Sequence, residues 1–127
     1  MSSRKKIIRN ILGCLILSFN TIAANHLAPP SDIALGKKIY HDRCEACHGN
    51  QGDGKTFAAN ALFPPPKNFT AETTKEALTL ERMVHSVTKG RPNTAMMPWE
   101  NVLSEQEIHS VVSYIRQALM RFKEQNN

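Results

Sequence analysis

Cys44, Cys47 and His48 are the residues of this chain best placed to do chemistry. They stand in RCEACHGNQGDG, residues 43–54, as C-x-x-C-H. Two thiols three residues apart with an imidazole directly after the second fit three kinds of site. A redox dithiol uses the cysteine pair but not the histidine, and it sits among strands that this sequence does not predict. A structural zinc site needs a second pair of soft ligands. The only other cysteine, Cys14, lies in a segment that reads as removable. The third site is the attachment point of a c-type haem, whose signature is this pattern. Both thiols lie on one helical turn, so each adds to one of the haem's vinyl groups, and the next residue reaches the iron. Thioether bonds keep such a group attached even where a small domain encloses it incompletely. The motif therefore points to one covalently bound haem c per chain.

An iron with one histidine needs a sixth ligand or keeps an open face. Methionine and histidine fill that position in electron carriers, and a thioether raises the reduction potential. GRPNTAMMPWENVLSEQE places Met96 and Met97 in a proline-bounded loop, a rigid place from which to present sulfur. Met83 and Met120 fall on helix faces and read as core fillers. Among the histidines, His26 lies in a leading loop, and His41 and His109 read as exposed on helices. His85 is the rival axial ligand, but it sits mid-helix with no loop to adjust its reach.

The elements that must position these residues are helical. After Pro29–Pro30, Ser31 is the expected N-cap, with Asp32 beside the positive helix start. Ile33 or Ala34, Gly36, Ile39 and Tyr40 recur at helical spacing, predicting a helix over roughly 32–45 that runs into the cysteines. Gly36 inside it costs about 1 kcal/mol of helix propensity relative to alanine, a cost that close approach of another element explains. GNQGDGKTFAANALFPPPKNFT reads as loop, with turn glycines and Pro64–Pro65–Pro66. Leu80, Met83, Val84 and Val87 predict a second helix ending at Gly90. Ser104 and Glu107 form a capping box that opens a third, with a stripe of Ile108, Val111, Val112, Ile115 and Leu119. Arg116, Arg121 and Lys123 near its end suit the negative pole of the helix dipole. Strand alternation is absent, so the fold class is all-α: about three main helices packed around one haem.

The N-terminus reads as an export signal. MSSRKKIIRN is basic, ILGCLILSF is apolar, and NTIAAN offers small residues for cleavage after Ala23 or Ala24. The apolar run is shorter than the ~20 residues of a spanning helix, although an uncleaved anchor is the alternative. The expected organisation is a signal peptide over 1–23 and one domain over 24–127, with a core of about 31–122. The full chain has 127 residues, 16 Lys and Arg against 11 Asp and Glu, and a net charge of +5. The signal carries four of those basic residues and no acidic one, which leaves 12 against 11. A near-neutral domain removes the main support for nucleic-acid binding.

Taken together, these features resemble the class I c-type cytochromes, the bacterial single-haem domains. The resemblance spans the whole region after the signal: a helix running into C-x-x-C-H over 32–48, a methionine loop over 90–99, and a last helix opening near LSEQEI over 103–115. It implies that the first and last helices cross at Gly36, Tyr40 and Tyr114. The family's loop usually reads M-P-x-aromatic, with the next helix cap eight residues after the methionine. Met96 fits both spacings, to Trp99 and Ser104, whereas Met97 has the proline directly after it, so Met96 is the favoured ligand and Met97 the alternative. GDGK and LFPPPKNFT resemble domains with a proline-rich loop beneath the haem, implying that a carbonyl near Pro64–Pro66 accepts from His48 Nδ1–H. By the same resemblance Asn68, Arg91 or Trp99 are candidates to meet a haem propionate, though each also reads as surface or packing. The implied function is a periplasmic, monomeric electron carrier, not an enzyme, working between redox protein partners. Two alternatives are a haem subunit of a membrane-anchored respiratory complex and a ligand-binding sensor or peroxidase-like protein with a labile sixth ligand.

Overall fold

The computed structural model describes residues 30–122, so the expected signal segment, Cys14, His26 and Lys123 lie outside the described residues. Helix α1 covers Ile33–Ile39. Its N-cap is Asp32, one residue later than expected, because the extended Asp32 backbone lets its carboxylate accept from the Ala34 and Leu35 amides at 2.9 and 3.1 Å. A π-helical turn, Tyr40–Cys44, follows directly, and then α2, Glu45–His48. Helical backbone thus continues three residues past the expected end at 45. Wide π turns inside helices are frequent at functional sites, and this one delivers Cys44.

The loop expected over 49–70 holds a 3-10 turn, Ala58–Ala61, and just beyond it lies a short helix α3, Glu72–Ala77; the sequence signalled neither. Each is under two turns long, too short for an apolar period to register. Helix α4 spans Leu80–Lys89 and stops at Gly90 as expected, while α5 spans Glu105–Tyr114 and runs on into a π turn at Ile115–Leu119. Every regular element among the described residues is helical, and no helix there is long and apolar enough to cross a membrane.

The core forms where α1 crosses α5. Tyr40, Val111 and Val112 have no exposed surface, and Met83 and Met120 are buried fillers as expected. An added Cβ on Gly36 would lie 2.0 Å from the Ser110 carbonyl oxygen and 3.0 Å from Tyr114 Cβ. The two backbones touch there, which is why this helix carries a glycine. Ser110 Oγ, itself fully buried, accepts the Asp32 N–H at 2.9 Å, and the Tyr40 and Tyr114 rings pack with centroids 5.6 Å apart. Arg116 does more than face a helix end: its guanidinium donates to the Leu78 carbonyl at 3.1 Å and lies 4.5 Å over the Phe122 ring.

The capping box of α5 is complete. Glu107 N–H donates to Ser104 Oγ at 3.3 Å, and Ser104 N–H donates to the Glu107 carboxylate at 2.8 Å. Ser104→Ala is expected to lower stability by about 1 kcal/mol, read as a shift in the urea midpoint at unchanged slope. Bonds from Ser104 hold the Glu107 carboxyl below its ordinary pKa. A carboxyl depressed on folding contributes stability above its unfolded value, and that contribution fades as pH falls through the folded one.

Candidate functional site

The predicted cysteines and histidine fall together at the end of the first helical run. Cys44 closes the π turn, and Cys47 and His48 end α2. Both thiols are free and half-buried. Burial, and then the neighbouring Cys47, pushes the Cys44 thiol up to about 11, so it is protonated at neutral pH. Buried Tyr40 donates its hydroxyl to the Gly49 carbonyl at 2.6 Å, which ties the residue after His48 back to the helix that carries the cysteines. Burial first, then repulsion from Cys44 and other neighbours once they ionise, lifts the Tyr40 phenol well above its ordinary range, so this donor keeps its proton.

His48 is held from the far side by the strip over 67–69. Its Nδ1 lies 3.2 Å from the Lys67 carbonyl oxygen, the residue directly after the proline run. A carbonyl only accepts, so Nδ1 carries the hydrogen and Nε2 keeps its lone pair. The ring stacks on Phe69, with centroids 4.7 Å apart and planes 15° from parallel. Phe69 is buried, and its own N–H donates to Gly52 at 2.6 Å. Burial lowers the His48 pKa against the opposing effect of the Lys67 bond. That favours neutral imidazole, the form that binds metals.

The methionine loop is laid against the end of α4. Gly90 has φ +69°, and a Cβ there would meet the Met96 carbonyl oxygen at 2.6 Å and Pro98 N at 2.8 Å. Arg91 N–H donates to the Met96 carbonyl at 2.8 Å, and Trp99 N–H donates to Val87 at 3.0 Å. Thr94 Oγ1 accepts the Met96 N–H at 3.1 Å. Met96 is half-buried and packs against the core, whereas Met97 is 60% exposed.

The remaining candidates lie elsewhere. His85 is exposed on α4 and lines a surface groove with Leu80, Val84 and His109. His109 is half-buried, contrary to the expected exposure, and exposed His41 pairs with Glu45. Asn68 Oδ1 is engaged by the Thr70 N–H and hydroxyl at 2.8 and 2.7 Å, and Trp99 packs against the core. Tyr40 as a clamp, the Lys67 carbonyl and Thr94 are contributors that pattern reading did not single out. Their roles come from side chain to main chain bonds, which leave no periodic trace; the one hint was the carbonyl expected near Pro64–Pro66, which lies next to Lys67.

The donor set fits a haem. Among the described residues no group of three or more His, Cys, Asp or Glu is placed to hold a metal ion. A bare cation therefore finds no cage, whereas an iron that brings four nitrogens of its own asks the protein for one or two ligands. Two unpaired thiols within a turn of an imidazole with a free Nε2 meet that need.

The family model described as cytochrome c matches residues 33–119. The chain is 32% identical over 90 residues to cytochrome c-554(547) of Halothiobacillus neapolitanus, covering 66% of this chain and 93% of that protein. It is 31% identical over 87 residues to the cytochrome c subunit of the quinone alcohol dehydrogenase of Gluconobacter oxydans, covering 64% of this chain but only 17% of that subunit. It spans 11% of a thiosulfate dehydrogenase of Stutzerimonas stutzeri, at 47% identity over 34 residues, or 27% of this chain. Among solved structures, cytochrome c6 of the diatom Phaeodactylum tricornutum superposes with a TM-score of 0.54 at 26% identity, covering 72% of this chain and all of that one.

Proposed function

Since this chain belongs to the cytochrome c family, we propose that it is an exported single-electron carrier that holds one haem c through Cys44 and Cys47, with His48 and Met96 as axial ligands. The observation that carries this reading is the pair of free thiols beside an imidazole whose Nδ1–H is already given to Lys67. When bound, the haem supplies reversible Fe(III)/Fe(II) exchange. The chain's own residues do the rest. The Lys67 carbonyl and the Phe69 ring fix the plane of His48, as outer partners of metal-binding histidines do. Tyr40 keeps the turn after His48 against the first helix. Met96, packed inward, offers its thioether, while Met97 faces solvent. With both axial positions filled no coordination site is left for a substrate, so the protein carries electrons between redox partners and does no chemistry on them. Docking with such partners is weak and transient. The basic and apolar segments of 1–23 support export to the periplasm.

Production of the full chain beside a working haem-attachment system tests this. The intact mass is expected to lack residues 1–23 and to include one haem. The ferric protein is expected to be low-spin with a far-red sulfur-to-iron band, and the ferrous protein not to take up carbon monoxide promptly. A colourless product of bare polypeptide mass would overturn the proposal, and a high-spin ferric spectrum would favour a ligand-binding or peroxidase-like role. The similarity to the Gluconobacter subunit favours one second reading, a haem subunit of a larger complex. Retention of residues 1–23 and co-purification with that complex would identify it.

A further inference from the structure

We infer that Thr94 is a positioning residue that sets how firmly Met96 is held as the sixth ligand; this rests on the axial-ligand reading above. The backbone around Met96 closes into a ring of hydrogen bonds with Thr94 at its centre. The Met96 N–H donates to Thr94 Oγ1 at 3.1 Å, and the same hydroxyl donates to the Arg91 carbonyl at 2.9 Å. Arg91 N–H returns to the Met96 carbonyl at 2.8 Å, and Thr94 N–H reinforces the turn to Arg91 at 3.2 Å. One hydroxyl thus uses its hydrogen and a lone pair to join the two sides of the loop: it holds the Met96 N–H, while the Arg91 N–H holds the Met96 carbonyl directly.

Packing of Met96 on the core and the Trp99 bond to Val87 anchor the far side of the loop, but the near side depends on the ring. Pro92, Asn93, Thr94 and Ala95 are all exposed, so apolar burial does not hold this part of the loop. Gly90 lies close beneath the Met96 carbonyl, where a Cβ would meet its oxygen at 2.6 Å. The backbone from which the thioether reaches is therefore steadied by a small polar ring, and opening the ring lets the methionine leave the iron more readily. Thr94 thereby tunes how readily the protein admits small ligands.

The holoprotein tests this by titration of the ferric form with imidazole. A neutral hydrogen bond is worth about 0.5–1.5 kcal/mol net, so Thr94→Val is expected to raise the methionine-off population, and the apparent imidazole affinity, about two- to tenfold. Exchange of the Met96 amide hydrogen should accelerate in step. Thr94→Ser keeps the hydroxyl and should stay near the parent on both measures. An unchanged Thr94→Val, or a Thr94→Ser as loose as Thr94→Val, overturns the inference while leaving methionine ligation intact. Absence of the far-red band in the parent protein, with imidazole binding unopposed, removes the axial-ligand reading itself and this inference with it.

Discussion

With valine in place of Gly36, the chain is expected to yield no folded holoprotein. Even an alanine Cβ would sit 2.0 Å from the Ser110 carbonyl oxygen and 2.5 Å from its carbon. Those are backbone atoms of α5, not the tip of a flexible side chain, so the only relief is to pull the two helices apart. Overpacking that side chains can absorb costs about 1–3 kcal/mol. Separation here also loses the Asp32 to Ser110 bond and the Tyr40 to Tyr114 contact. Gly36→Ala should therefore cost at least about 3 kcal/mol, against a total stability of about 5–15 kcal/mol for a domain. The guanidinium midpoint of the holoprotein measures it. Ala34→Val, on an exposed position of the same helix, is the control and should stay within about 0.5 kcal/mol. An unmoved midpoint for Gly36→Ala would mean that α1 and α5 do not meet at this point.

Removal of one thioether should have the second large effect. Met96→Ala is expected to abolish the far-red band, to let the ferrous form bind carbon monoxide at once, and to lower the reduction potential by on the order of 0.1 V or more, since axial ligands move haem potentials over several tenths of a volt. Met97→Ala, at a side chain 60% exposed, should leave spectrum and potential where they were. The converse pattern, with Met97→Ala opening the iron and Met96→Ala silent, would reassign the ligand to Met97. Equal silence from both would exclude this loop as the source of the sixth ligand.

Much of the molecule was legible because its signals are periodic or local. The stripe from Ile108 to Leu119 and the Ser104–Glu107 box placed α5, and Met83 with Val87 placed α4. A glycine in the middle of an otherwise good helix announced the close approach of another element, and the family resemblance named the last helix as that element. Other features had no such signature. Asp32 and Ser31 are both able caps, and only the backbone angles at Asp32 chose between them. The 3-10 turn buries only Ala59 and α3 buries no residue, so neither has an apolar face for a sequence pattern to show. The acceptor for His48 was expected near the prolines, and the fold supplies it at Lys67, immediately after them. Backbone carbonyls are identical in every residue, so sequence marks the neighbourhood of such a partner and the path of the chain selects the atom.

The bond from Asp32 to Ser110 joins residues 78 positions apart, so the domain is latched shut by nearly its last-made part. Polypeptides emerge N-terminus first, and until α5 arrives the apolar side of α1 has nothing to lie against. During that interval Cys44 and Cys47 belong to an open chain, and in the folded domain both are half-buried, Cys44 against the core that α5 completes. A chain that stops before Glu105 would keep both sulfurs yet lack the helix on which α1 lies.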